Sequence, residues 1–239
     1  MKTRKTKKCI ATIPSRGGSK RITLKSLQRV GDKTLLQRCI DVARDSGVFD
    51  EIYVNTDDVS IAEAAESYGA QVPQLRKEYF DDYSPVSLAT IQFANELLKS
   101  GRLDGDEYIT QLMPNCPFLK ASTIIDFTNE ATKYPGESFL SAVLLDPISR
   151  FAFELDSKGE HKTILMKTMD DSRTQDSEPL YIPTGAIWVA NLEYLNQEGS
   201  YYGRNHKFRV IPQIEGFDID TSEQLDQARI LAAGLLRLQ

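Results

Sequence analysis

From residue 9 to residue 98, short apolar runs alternate with segments of helical periodicity, and this alternation constrains the fold more than any other feature. Cys9 to Ile13 reads as a strand. Leu35, Leu36, Cys39, Ile40 and Ala43 then recur along one helix face, with Gly47 as its stop. Ile52 and Val54 give a second strand, ending at Asn55-Thr56-Asp57-Asp58. Ile61, Ala64, Ala65 and Tyr68 mark the next helix, closed by Gly69. Leu88, Ile91, Ala94, Leu97 and Leu98 form a third helical face. Strands separated by helix-length segments predict an α/β fold, a mostly parallel central sheet with helices on both faces. The pattern continues with a strand over Tyr108 to Met113, a helix carrying Ile124, Ile125 and Thr128 for which Ser122 can serve as the cap, and a strand over Ser138 to Leu145.

Periodicity then changes. From Asp146 to Pro179 there are short extended pieces, Phe151 to Leu155 and Lys162 to Met166, separated by Asp-Ser-Lys-Gly at 156 to 159. This reads as a small hairpin excursion, too short for its own core but suited to covering a site or contacting a second subunit. Ile187 to Ala190 returns to the sheet, Lys207 to Ile211 adds a strand, and Leu225, Ala228, Ile230 and Leu235 belong to a closing helix. The expected organisation is one domain over residues 8–239, with 146–179 as a projecting insertion.

Composition narrows the function classes. A net charge of -5 over 239 residues provides no general field for nucleic acid, although a local basic turn can still bind a polyanion. Cys9, Cys39 and Cys116 form neither a disulfide framework nor a metal-ligand spacing, which points to a reducing cytoplasm. With His161 and His206 as the only histidines, a histidine-rich metal site is excluded. The basic start from Met1 to Lys8 precedes too short an apolar run for a signal peptide, and no stretch is long enough to span a membrane.

The first strand candidate runs into Pro14-Ser15-Arg16-Gly17-Gly18-Ser19-Lys20-Arg21. Two glycines permit backbone angles closed to other residues and close approach of a ligand. Arg16, Lys20 and Arg21 supply charge suited to phosphate. A solvated basic turn is the plainer alternative, but the turn falls at a strand end, where open α/β sheets bind ligands. It matches neither a dinucleotide fingerprint nor a P-loop. Lys25 could reach the same phosphates or sit in solvent, and Lys33 also suits an ordinary turn.

Asp218 and Asp220 in Phe-Asp-Ile-Asp-Thr are the second strong feature. On an extended segment, residues two apart face the same way with Cα atoms roughly 6.6 Å apart. Their carboxylates could converge on one Mg2+, with Ile219 directed into the core. The other reading is an acidic strand end before a helix capped by Thr221 or Ser222. Asp57 or Asp58 reads as the cap of a helix near Val59, at the edge of the same region. Arg173, Gln175 and Asp176 form either a flexible polar loop or a substrate wall, whereas Met113 and Trp188 read as packing residues.

Taken together, these runs resemble the CMP-N-acylneuraminate synthetase (acylneuraminate cytidylyltransferase) family. The matching pieces are Ile13 to Arg21, Phe49 to Asp58, Ile61-Ala62-Glu63 with Tyr68-Gly69-Ala70, Arg173 to Asp176, Thr184 to Trp188, and Asp218 to Thr221, in family order over nearly the whole chain. The resemblance implies a three-layer Rossmann-like nucleotidyltransferase that joins CTP to a nine-carbon 2-keto acid sugar and releases pyrophosphate. It implies catalytic roles for Arg16, Lys25, Asp218 and Asp220, and CTP contacts from Ser15, Arg16, Gly17, Gly18, Ser19, Lys20, Arg21 and Lys25. It further implies Mg2+ on Asp218 and Asp220, which beside a cation should both stay ionised. Acceptor contacts implied in the same way are Ser84, Ser87, Met113 and Asn115, then Arg173, Gln175 and Asp176, then Thr184 and Gly185. A homodimer is implied too, the projecting segment helping to form the neighbour's sugar pocket.

This chain departs from the family pattern at the acceptor side. Lys-Asn becomes Lys25-Ser26, the glutamine of Gln-Pro-Thr-Ser-Pro aligns with Met113, and an arginine and an asparagine are replaced by Ile182 and Thr184. Such changes weaken recognition of the usual hydroxyl and carboxylate pattern and point to a bacterial relative such as pseudaminate or legionaminate. The nucleotide motifs would equally serve 3-deoxy-manno-octulosonate or a phosphonate. A non-catalytic nucleotide-binding or assembly protein is the remaining alternative, against which Asp218 and Asp220 argue.

Overall fold

A computed structural model of the chain describes residues 7–76, 86–163 and 178–237. The first strand, β1 (Cys9–Pro14), is buried along its whole length. Its side chains alternate between two cores: Cys9, Ala11 and Ile13 enter one and Ile10 the other. Burial on both faces is why it reads as a continuous apolar run rather than an alternating one. A short antiparallel ribbon of β2 (Arg29–Val30) and β3 (Lys33–Thr34) follows, and no apolar pattern announces it. Helix α1 (Leu35–Ser46) is capped by Thr34, whose side chain accepts from Gln37 N at 3.1 Å, and ends at Gly47 in the left-handed region, φ 64.

After β4 (Glu51–Asn55), helix α2 (Val59–Ser67) begins at Asp58, which accepts from Ile61 N at 3.0 Å. Helix α3 (Val86–Lys99) leads to β5 (Tyr108–Leu112), then α4 (Ala121–Lys133) and β6 (Ser138–Leu144). Ser122 does not cap α4: Lys120 occupies the N-cap position without a side-chain bond, and a buried carboxylate from residue 215 serves instead. The described part of the excursion is a 3-10 turn and an antiparallel hairpin of β7 (Phe153–Leu155) and β8 (His161–Thr163). Strand β9 (Tyr181–Asn191), helix α5 (Leu192–Glu198), strand β10 (His206–Val210) and helix α6 (Ser222–Arg237) complete the chain.

Six strands form the main sheet in the order β10-β6-β9-β5-β1-β4. Only β9 runs antiparallel to its neighbours, so the sheet is mostly parallel as expected. Leu36, Ile40, Ile61, Ile124 and Phe127 from α1, α2 and α4 pack in one core. Phe93, Leu97 and Leu195 from α3 and α5 pack in the other. Helix α6 closes a third cluster with Val30, Leu35 and Ile219. At β6 and β9 the pairing skips from Leu140↔Trp188 to Ala142↔Pro183, leaving Ser141 opposite a bulge that contains Thr184 and Gly185.

Candidate active site

Strand β1 lies between β4 and β5, so the chain steps from β1 out to β4 and then crosses back to β5 on the other side of β1. Such a switch point opens a crevice at the carboxyl ends of the strands. A cleft of about 560 Å³ occurs there, its walls including Pro14 and Ser15 after β1, Met113 and Asn115 after β5, and Val86 and Ala89 of α3. Arg16, Ser19, Lys20, Arg21, Lys25 and Asp220 face the same cleft, so the glycine loop and the second carboxylate are brought together.

The loop is held by its neighbours. Ser15 N donates to Asn55 O at 2.9 Å, and the buried hydroxyls of Ser15 and Ser26 lie 2.5 Å apart. Gly17 N donates to Asp57 Oδ1 at 2.8 Å. A Cβ on Gly17 would fall 2.6 Å from Asp58 Oδ2, so glycine is required by close approach. The expectation that both glycines serve unusual angles is corrected: neither is among the positive-φ glycines, and a Cβ on Gly18 would meet open space. Positive φ occurs instead at Leu24, φ 44, the single such non-glycine among the described residues. This strained residue turns the chain into the 3-10 segment Lys25–Leu27.

From that turn Lys25 Nζ reaches Ile219 O at 2.9 Å and Asp220 Oδ1 at 3.1 Å, and Arg21 pairs with the same carboxylate at 3.0 Å. Burial pushes the Asp220 carboxyl up, but Lys25 and Arg21 outweigh it and hold it below the usual range. Asp218 is in the opposite state. Burial, then the neighbouring Asp220 charge, push it up to about 6, against which Lys25 and Arg21 are too weak. The expectation that both carboxylates stay ionised therefore depends on a cation beside them.

The donors fit Mg2+. Asn115 Nδ2 donates to Asp218 Oδ1, leaving Asn115 Oδ1 buried with no partner among the described residues. Two carboxylates beside an unsatisfied amide oxygen are hard oxygen donors of the kind this ion takes. Ile219 is fully buried between the carboxylates, as expected for an extended Asp-Ile-Asp segment. The helix-cap reading also holds, because Thr221 Oγ1 accepts from Gln224 N at 3.2 Å. One segment thus serves both purposes.

The acceptor candidates fare differently. Met113 and Asn115 line the cleft, and Gly185 packs against Met113, whose Cγ lies 3.2 Å from a Cβ added there. Thr184 is not in the lining; its buried hydroxyl is 2.7 Å from Ser141 Oγ, filling the bulge. Ser87 is buried in the first turn of α3, beside the lining residue Val86. Ser84, Arg173, Gln175 and Asp176 lie outside the described residues. Cys116 is buried, with its thiol pushed up by burial, which suits a structural role.

Arg76 was missed. Its backbone N donates to Thr56 O at 2.7 Å, and its largely buried guanidinium lies 3.6 Å from Asp57 Oδ2 and lines the cleft. Nothing in the sequence distinguishes this lone arginine after α2. Asp57, considered only as a cap or a pocket edge, bridges Arg76 and the loop amide of Gly17.

Comparison with known proteins gives a consistent answer. The family model described as cytidylyltransferase matches residues 10–235. A pseudaminic acid cytidylyltransferase of Campylobacter jejuni is 32% identical over 226 residues, covering 94% of this chain and 96% of the relative. A CMP-N,N'-diacetyllegionaminic acid synthase of Legionella pneumophila is 32% identical over 216 residues, covering 89% and 90%. A solved CMP:2-keto-3-deoxy-manno-octonic acid synthetase in complex with CTP superposes with a TM-score of 0.68 at 14% identity, over 95% of this chain and 99% of that one, and so shares the fold. The alternating strands and helices, the cationic loop at the switch point and these matches lead to one assignment: the chain belongs to the cytidylyltransferase family.

Proposed function

We propose that this enzyme transfers CMP from CTP to an acidic nine-carbon 2-keto sugar of the pseudaminate or legionaminate type, in a Mg2+-dependent reaction. The observation that carries the reading is the single cleft in which Arg16, Lys20, Arg21 and Lys25 meet Asp220, with Asp218 two residues away. The cations bind and orient the triphosphate, and Arg21 and Lys25 exchange their contact with Asp220 for phosphate oxygens. Phosphoryl transfer depends mainly on such positioning and charge neutralisation. Asp218 and Asp220 would hold Mg2+, which would supply further charge at the transferring and leaving oxygens. The anomeric hydroxyl oxygen bonds to the α-phosphorus, the bond to pyrophosphate breaks, and the hydroxyl proton is released.

Met113 supports the choice of acceptor. An apolar thioether where the family pattern has glutamine favours acyl and deoxy groups over a hydroxyl. Ser84, Ser87, Arg173, Gln175, Asp176 and Gly185 are proposed as acceptor contacts on the strength of the family resemblance. The experiment is product detection with CTP, Mg2+ and a panel of pseudaminate, legionaminate, neuraminate and 3-deoxy-manno-octulosonate. CMP-pseudaminate or CMP-legionaminate supports the reading, and a CMP-sugar only from the eight-carbon acid contradicts it.

A homodimer belongs to the same proposal. Ile148, Phe153 and Leu155 of the excursion and Tyr181 and Ile182 at the start of β9 are all exposed apolar side chains, which a second copy would cover. Light scattering at twice the monomer mass supports the dimer and at one monomer mass contradicts it, and Leu155→Glu is expected to shift the protein toward monomer.

A further inference from the structure

We propose that Glu215 is a positioning residue for the metal-binding carboxylates, fixing Asp218 through a loop-to-loop zip that ends on the first turn of α4. The inference rests on the reading that Asp218 and Asp220 hold a divalent cation. The first amides of any helix need acceptors, and Lys120 provides none from its side chain. Glu215, 2% exposed, supplies one from ninety-odd residues away: its Oε2 accepts from Lys120 N at 3.2 Å and from Thr123 Oγ1 at 2.6 Å. A carboxylate is costly to bury unless it is hydrogen-bonded, and the positive end of a helix is a favourable place for it.

The contacts continue in register toward the site. Phe217 meets Phe118 edge-on with ring centroids 6.1 Å apart. Ile219 N donates to Asn115 O at 2.9 Å, and Asn115 Nδ2 donates to Asp218. Residues 215–219 therefore run antiparallel to 115–123, with Glu215 at one end and the Asp218 carboxylate at the other. Gly216 keeps this segment seated, since a Cβ there would fall 2.6 Å from Val143 Cγ1 and 2.9 Å from Thr184 Cγ2. Glu215 is outside the cleft lining, so it acts through the segment and not on the ligand. Groups that orient metal ligands from behind contribute about 10- to 100-fold in metal affinity.

The test is equilibrium Mn2+ binding followed by electron paramagnetic resonance, with CTP present and no acceptor, so that no turnover is needed. Glu215→Ala is expected to weaken Mn2+ binding roughly tenfold, and Glu215→Gln, which keeps an acceptor oxygen, to recover most of it. Thr123→Val, which removes one donor while preserving shape, should shift the affinity in the same direction by a smaller factor and serves if Glu215→Ala does not fold. A merely structural role would lower the melting temperature or the number of binding sites and leave the Mn2+ dissociation constant unchanged; that result in the folded variants overturns the proposal. If the wild-type protein with CTP takes up no Mn2+, the metal reading itself fails and the proposal falls with it.

Discussion

The two sides of the cleft are built on different plans. On the loop side, one continuous stretch from Pro14 to Ser26 presents its cations to the cleft, with Asp220 paired to Arg21 and Lys25 and Asp57 holding the Gly17 amide. On the opposite wall, the lining comes from separate segments, Met113 to Asn115 after β5 and Val86 and Ala89 of α3, with the β9 bulge behind it where Gly185 packs against Met113. A side that grips a constant ligand through backbone and charge can be written in one motif. If the proposed acceptor lies against the opposite wall, its specificity is set by distant segments, and one changed residue such as Met113 would alter it without altering the loop.

The sharpest way to break this comparison is at its shared residue. Asp220→Asn should lower kcat by more than about 100-fold while the protein stays folded, since the site loses a cation ligand and Lys25 and Arg21 lose their anchor. Arg16→Ala should raise the KM for CTP by about 10- to 100-fold, the range for a lost charge-assisted hydrogen bond, with little change in that for the sugar. Initial rates against each substrate check both. Gly17→Ala should destabilise the fold by about 1–3 kcal/mol through overpacking against Asp58, whereas Gly18→Ala should leave thermal stability unchanged and reveal by its KM how closely CTP approaches.

A subtler prediction uses Asp218. Its folded carboxyl titrates near 6 against a reference of 3.8, so the fold favours the neutral form. That contribution is fully present below about pH 3.8 and is lost as pH rises through about 6. In metal-free protein, Asp218→Asn should therefore melt higher than wild type at pH 8 and lose that advantage at about pH 3.5. Thermal melts across pH test the sign. Smallest of all, Thr184→Val should cost about 1 kcal/mol by removing the hydroxyl–hydroxyl bond to Ser141, whose Oγ still donates to Thr184 O and accepts from Ile187 N, with no change in either KM. A raised KM for the sugar would mean that Thr184 contacts the acceptor after all.

What was legible in the sequence follows the range of the interactions. Gly47 and Asp58 act within a few residues of the helix ends they mark, and the alternation of apolar runs reports burial on both sheet faces. The cap of α4 was misread because the acceptor comes from Glu215, across the fold. The β2–β3 ribbon and α5 escaped notice because each is too short for its period to show. Arg76 escaped because only the turn of backbone onto Thr56 brings it to the cleft. Asp218 and Asp220 stand out by a spacing of two, but their unequal titration depends on burial, on the charge of Asp220 beside Asp218, and on Lys25 and Arg21.

The central claim is that the cationic loop and the paired carboxylates form one metal-dependent site of cytidylyl transfer. Its most direct test is pyrophosphate release from CTP with pseudaminate or legionaminate, measured for wild type and Asp220→Asn across a Mg2+ titration. Release by the wild-type enzyme is expected to rise with Mg2+, to disappear on chelation and to be nearly absent in the variant. Equal release by the two proteins, or wild-type release untouched by chelation, would contradict it.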